Sequence, residues 1–223
     1  MSRLRAPTVA AIALIAAAAA SLGTAPTRAA PPPATPLPAT PLPATPTLAP
    51  AAGPPTDDLA DVMRLLGART HRRARFRERQ DLAVLDRPLV STGELIYDAP
   101  GRLEERVLTP RRETLIAQGD RLSVERDGRR RVFELSRATG FAALIGSLRA
   151  TLAGDDAALR RDFAVEFHGD LARWTLRLTP RSAALARQIA RIRIDGTRGE
   201  LRRVVIRSAN GDASVMRLTE PAR

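Results

Sequence analysis

The sequence predicts a mainly β (α+β) fold: an open, strongly curved antiparallel half-barrel of roughly eleven strands with a helical lid or plug. Three observations carry that expectation. Between Arg72 and Leu135, short runs of polar and apolar alternation follow one another with almost no helix signal. The links between these runs are too short for parallel crossovers, which need about a dozen residues or more, so neighbours pair antiparallel. Two segments elsewhere have helical spacing and apolar faces that need a surface to cover.

The first half of the sheet is read from RARFRERQDL (Arg73–Leu82), PLVSTGELIYD (Pro88–Asp98) and RLEERVLT (Arg102–Thr109), with APGR turning the chain before the third. RETLIAQ (Arg112–Gln118), RLSVER (Arg121–Arg126) and RRVFEL (Arg130–Leu135) continue it. Gly119-Asp120 and Asp127-Gly128 supply residues that tolerate positive φ in tight turns. The second half comprises FAVEFHG (Phe163–Gly169), ARWTLRLTP (Ala172–Pro180), ARIRID (Ala190–Asp195), ELRRVVIRS (Glu200–Ser208) and ASVMRL (Ala213–Leu218). A sheet of that many strands curls rather than staying flat.

Helices bracket and divide these strands. Thr56, Asp57 and Asp58 place a capping side chain and acids at a helix start; Leu59, Val62, Met63 and Leu66 follow at helical spacing, and Gly67 ends the segment. Thr139 is positioned to cap Gly140–Leu152, whose Phe141, Leu144, Ile145, Leu148 and Leu152 share one face. Asp155–Phe163 reads as a second short helix or turn, and Ser182–Gln188 as a helical turn across one end of the sheet. The two apolar helix faces belong inside the curl.

The N-terminal part reads differently. Arg3 and Arg5 precede the apolar run Val9–Leu22, which is long enough for a signal-peptide core and short of the about 20 residues a membrane span needs. Residues 1–29 are therefore expected to be a cleaved export signal, with an uncleaved anchor as the alternative. Residues 30–55 carry 11 of the chain's 18 prolines, including a doubled ATPLP, and read as an extended disordered spacer. The folded domain is expected over 56–219 and a short tail over 220–223. There is no cysteine, so neither a disulfide nor a lipid-modified N-terminal Cys is available.

The net charge is +12 and every basic residue is arginine. Export argues against nucleic acid as the partner, and 3% aromatics are too few for a stacking platform. Anionic head groups or cell-surface polymers suit an exported arginine-rich surface better; a plain compositional bias towards arginine is the bland alternative. Arg129-Arg130-Arg131 lies just past a tight turn and reads as a solvated rim or a head-group contact.

Catalytic chemistry finds little support. The two histidines, His71 and His168, stand far apart, which disfavours a metal site, and no glycine-rich phosphate loop follows a strand. No serine sits in a nucleophile elbow that could use His168 and Asp170. Glu104 and Glu105 are adjacent in a strand, so their carboxylates face opposite ways and do not form an acid/base pair. No cofactor, metal or catalytic residue is expected, and the chain is read as no enzyme. What remains is the apolar inner face. Leu95, Tyr97, Leu103, Val107, Phe133, Phe163, Phe167 and Trp174 from the strands, with Phe141, Leu144, Ile145 and Leu148 from the helix, form either a sealed core or the lining of a cavity. At about 0.8 kcal/mol per CH₂, an acyl chain of about 14–16 carbons gains some 10 kcal/mol in such a groove.

The sequence resembles the periplasmic outer-membrane lipoprotein carriers of the LolA family, as a divergent LolA-like member. The resemblance rests on FRERQ (Phe76–Gln80), GELIYDAPGRL (Gly93–Leu103), ETLIAQGDRLSVE (Glu113–Glu125) and IRIDGTRGELRRVVIRSANGDASVMRL (Ile192–Leu218). It implies an acyl-shielding carrier between an inner-membrane donor and an outer-membrane acceptor, a monomer touching membranes transiently, with an acylated protein or lipid as cargo. Classical carriers have a basic residue just before the proline of that block, implicated in lid control; here Ala99 stands there, and Arg102 is the nearest substitute. LEERVL (Leu103–Leu108) replaces the usual aromatic-rich strand. The alternative to a carrier is a non-catalytic envelope scaffold that uses the arginine surface and the spacer.

Overall fold

A computed structural model describes residues 58–221. The expected export signal, the spacer and the helix-start residues Thr56 and Asp57 lie outside the described residues.

The chain opens with helix α1 (Asp58–Gly67) and then lays down β1 (His71–Asp81), β2 (Leu89–Asp98), β3 (Arg102–Thr109), β4 (Glu113–Gln118), β5 (Arg121–Arg126) and β6 (Arg129–Glu134) as a meander. Helices α2 (Thr139–Ala153) and α3 (Asp156–Asp162) follow. The second meander is β7 (Phe163–Gly169), β8 (Trp174–Pro180), the turn-length α4 (Ala183–Ala186), β9 (Ile189–Thr197), β10 (Glu200–Ser208) and β11 (Ala213–Thr219). All the strands join one 11-stranded sheet in the order β6-β5-β4-β3-β2-β1-β11-β10-β9-β8-β7. The two meanders are sewn together where β1 pairs antiparallel with β11, from Arg75 opposite Thr219 to Asp81 opposite Ala213. β6 and β7 stand at opposite ends of that order and do not pair, so the sheet stays open, as the alternation of the sequence predicts.

Phase along each strand decides which face is inner. In β1 the alternation is complete: Arg72, Ala74, Phe76, Glu78 and Gln80 are buried and the residues between them are exposed. Register carries this face across the sheet, Ala74 standing opposite Leu95, Leu95 opposite Glu105, and Glu105 opposite Leu115. Two aromatic rings are seated on glycines of neighbouring strands. A Cβ on Gly93 would lie 2.8 Å from the Phe76 ring, and one on Gly196 would lie 2.1 Å from the Trp174 ring. The Trp174 indole also donates to the Arg198 carbonyl at 2.7 Å, which fixes it against the sheet.

The helices cover the inner face, with one change from the expected capping. Ala138, not Thr139, holds the N-cap position of α2, and no side chain caps it there. The free N–H of Gly140 is taken by the Gln188 side-chain oxygen, 2.7 Å away and from a distant part of the chain. At the other end Gly154 adopts φ 69°, and the Asp155 N–H returns to the Ala150 carbonyl at 2.8 Å. Asp155 accepts from the Ala158 N–H at 2.8 Å and starts α3, so the expected helix-start charge is a cap.

α1 and α2 meet backbone to backbone at this corner: a Cβ on Gly154 would lie 2.1 Å from the Met63 carbonyl oxygen. Gly154→Ala combines that clash with a left-handed φ and is expected to destabilise the domain by about 2–3 kcal/mol. Gly146→Ala, where a Cβ meets nothing within 4 Å, is expected to gain about 0.5–1 kcal/mol. Urea denaturation of the two variants beside the parent chain checks both signs.

Candidate functional site

The helices and the inner sheet face enclose one apolar chamber. Leu95, Tyr97, Leu103, Val107, Phe141, Leu144, Ile145, Leu148, Phe163 and Trp174 are all buried in a single hydrophobic cluster that also includes Val62, Met63 and Leu66 of α1. Of the twelve side chains expected to line a cavity, these ten are brought together. Phe167 is partly buried and packs against the cluster from β7. Phe133 is not part of it: it lies on the edge strand β6, is 49% exposed, and has only Leu122 of β5 opposite it. No strand lies beyond β6 to cover the ring.

Arg102, the expected lid residue, faces the other way. It shares a strand face with Glu104, and its guanidinium bonds both Asp98, at 3.0 Å, and Glu104. Glu104 lies on the outer face, across from Ile96 and Ile116, and Arg106 also reaches it. Two arginines do tie the helical cover to the rest of the fold. Arg72 of β1 is buried; it donates to the Leu66 carbonyl in the last turn of α1 and to the Gly199 carbonyl at 2.7 Å. It thereby satisfies a helix-end carbonyl that would otherwise be orphaned. Glu220, expected in the tail, is tied to it at 3.4 Å and to Arg69 at 2.7 Å. Arg149 of α2 donates to the Gly119 carbonyl in the β4–β5 turn at 2.9 Å, pinning the helix to that turn.

Burial pulls the guanidinium of Arg72 below its ordinary value, partly offset by Glu220, and does the same to Arg149. Tyr97 feels both cations, but burial outweighs them and pushes its hydroxyl up. The Tyr97 hydroxyl has no hydrogen-bond partner among the described residues. Arg72, Tyr97, Leu95, Leu152 and Glu220 border a void of about 20 Å³, room for roughly one water. Side chains of α1 and α2 fill the rest of the space over the inner face.

The inner face also carries acids. Glu78, Glu105 and Glu113 project from β1, β3 and β4 onto it, and all three are buried. Glu113 is paired with Arg126. Glu78 accepts from the Ser214 hydroxyl and is hydrogen-bonded to Gln80 and Ser91, leaving Oε2 without a partner. Neither oxygen of Glu105 has a hydrogen-bond partner among the described residues. The expectation that Glu104 and Glu105 face opposite ways holds; that both are buried was not foreseen. The phase of β1 was the available signal, since Ala74 and Phe76 on the inner face also bring Arg72, Glu78 and Gln80 onto it.

The described residues thus form an open antiparallel half-barrel whose apolar inner face is capped by helices. The chain belongs to the family described as outer membrane lipoprotein carrier protein LolA-like, which matches residues 51–223. Among solved structures it is similar to a LolA superfamily protein from Nitrosomonas europaea: 11% identity, 73% of this chain and 90% of that one, TM-score 0.41. A DUF1329 family protein from Desulfovibrio piger gives 11% identity, 73% and 89% coverage and 0.41. The lipoprotein LppX of Mycobacterium tuberculosis gives 10% identity, 74% and 97% coverage and 0.38. No curated protein matches the chain in sequence. No helix among the described residues is long and apolar enough to cross a membrane.

The buried acids make stability depend on pH. Burial raises Glu78 from its ordinary 4.5 to about 7, against the pull of its hydrogen bonds, and raises Glu105 well above the usual range. The folded state therefore keeps protons that the unfolded chain has released, and stability falls as pH rises from 4.5 towards about 7. The half-buried carboxylates Glu94 and Asp98 are lowered instead, by Arg73 and His71 respectively, and act only at more acid pH. The urea midpoint is expected to drop between about pH 5 and pH 7.5, with a smaller drop in Glu78→Gln. A midpoint that rises over this window in the parent chain would refute the assignment.

Proposed function

We propose that this protein is a periplasmic carrier that shields the acyl chains of a lipoprotein or other lipidic cargo on the way from inner to outer membrane, without catalysing a reaction. The observation that carries the reading is the cover: an apolar inner face closed by two helices whose hold on the sheet includes arginine-to-carbonyl bonds. The family to which the chain belongs supports it at the level of class. An exported N-terminus with a cleaved signal and a spacer agrees with a periplasmic site of action.

A void of about 20 Å³ admits no cargo when ligand pockets run to about 300–1,000 Å³, so loading requires α2 to move aside. The exchange is close to balanced. Phe141, Leu144, Ile145 and Leu148 give up about 1.5–3 kcal/mol each on exposure, about 6–12 in all, against some 10 kcal/mol for a chain of about 14–16 carbons. Such a carrier takes up and releases its load without a covalent step. The packed interior also favours a second reading, in which the domain is a non-catalytic envelope scaffold that binds a partner through its outer arginines and holds no lipid.

Native mass spectrometry of protein purified from the periplasm is expected to show bound lipid mass, and a fluorescent sixteen-carbon acyl probe is expected to bind. Arg72→Met, which frees the Leu66 and Gly199 carbonyls, is expected to take up the probe several-fold faster with an unchanged circular dichroism spectrum. Failure of the parent chain and of Arg72→Met alike to bind the probe would overturn the carrier and leave the scaffold.

A further inference from the structure

The chain has a net charge of +12, yet its most buried carboxylate has no cation. Glu105 is 1% exposed, and both its oxygens are without hydrogen-bond or ion-pair partners among the described residues. The groups around it make its position more costly, not less. From β1 comes Glu78, whose own Oε2 is also unpartnered; from β4 comes Glu113, whose charge is already committed to Arg126. Gln80, Ser91 and Ser214 serve Glu78, and the apolar face of α2 offers no titratable group. A leucine at position 105 would pack in this apolar strand face, whereas a lone buried acceptor costs stability. Arginines abound elsewhere: Arg102 and Arg106 both crowd the outward Glu104, one residue away. Among the described residues, no group of three or more His, Cys, Asp or Glu side chains is placed to hold a metal ion.

We infer that the cargo of this chamber carries a positively charged amine on its apolar chain, with Glu105 as the counter-ion and Glu78 adding to the negative field around it. This rests on the carrier reading and adds the chemical class of the cargo to it. In the closed, empty chamber Glu105 is held well above its ordinary value by burial and by Glu78 and Glu113, and so keeps its proton. An arriving ammonium group replaces that proton with a fixed charge and lets the carboxylate ionise in place, one proton leaving to solvent. The surface sharpens the discrimination, because a +12 protein attracts anionic amphiphiles and repels cationic ones. A preference for amines can therefore arise only from an acidic interior.

The test displaces the fluorescent acyl probe from the mature protein with three twelve-carbon amphiphiles: dodecylamine, dodecanol and laurate, at pH 7. Dodecylamine is expected to bind at least tenfold more tightly than dodecanol. In Glu105→Gln the ratio of dodecylamine to dodecanol affinity is expected to shrink to about twofold or less. Glu78→Gln, a second variant in case the first folds poorly, is expected to lose part of the advantage. Equal displacement by all three in the parent chain, or an amine preference that survives Glu105→Gln, overturns the amine cargo and leaves the carrier standing. No displacement by any of them overturns the carrier reading and this inference with it.

Discussion

An antiparallel sheet that curls without closing must keep its inner face from water, and the helices of this protein answer that requirement. β6 and β7 end the strand order without meeting, so there is no opposing wall to pack the interior as a closed small barrel would. The wall is supplied instead by α1 and α2, which cross at Gly154 with backbone against backbone and present Val62, Met63, Leu66 and the Phe141–Leu148 stripe inwards. The cover is thus made of separate elements joined to the sheet by loops, where a barrel would use strands bonded along their length. That distinction matters energetically: a helix satisfies its own backbone, so moving it exposes side chains without breaking a ladder of hydrogen bonds.

Much of this was legible in the sequence because alternation and turn chemistry act locally. β3, β5, β7 and β10 have the bounds that their patterns indicate, and the glycine turns at Gly119 and Gly128 have the positive φ expected of them. The failures share a cause: each depended on what lies opposite. Phe133 alternates like a lining residue but sits on an edge strand, where no neighbour covers it. Arg102 was chosen by distance along the chain, while strand phase sends it outwards with Glu104. The cap on α2 comes from Gln188, 48 residues away, and no local pattern points to it. The phase of β1 and β3 places Arg72, Glu78 and Glu105 among the apolar inner set, and a charged side chain gives no local sign of that burial.

Those inward charges divide into two sets. Arg72 and Glu78 are six residues apart on β1, about 20 Å in an extended strand. At the Arg72 end, the guanidiniums of Arg72 and Arg149 bond backbone carbonyls that belong to the cover and to a sheet turn. These cations stabilise the closed arrangement, and their donors are spent there. Glu105 stands in the row of Ala74 and Leu95, nearer the row of Arg72 than that of Glu78, and its acceptors are open. The interior is therefore polarised between cations committed to the helix junction and acceptors that are uncommitted.

Polarisation of this kind limits what can replace the cover. A wholly apolar chain recovers the burial that α2 surrenders, but leaves Glu105 as unsatisfied as before. A chain with a donor or cation at the right depth recovers both terms, because the buried acids contribute only when they gain a partner. The same acids that weaken the empty fold as pH rises would then favour the loaded one, since their ionisation no longer takes place without a counter-charge. An interior built for stability alone would have placed a leucine at 105 or brought one of 36 arginines to meet the glutamate. On the proposed reading, a carboxylate kept without either separates the two states of the chamber by its occupant, which is what release as well as binding would require.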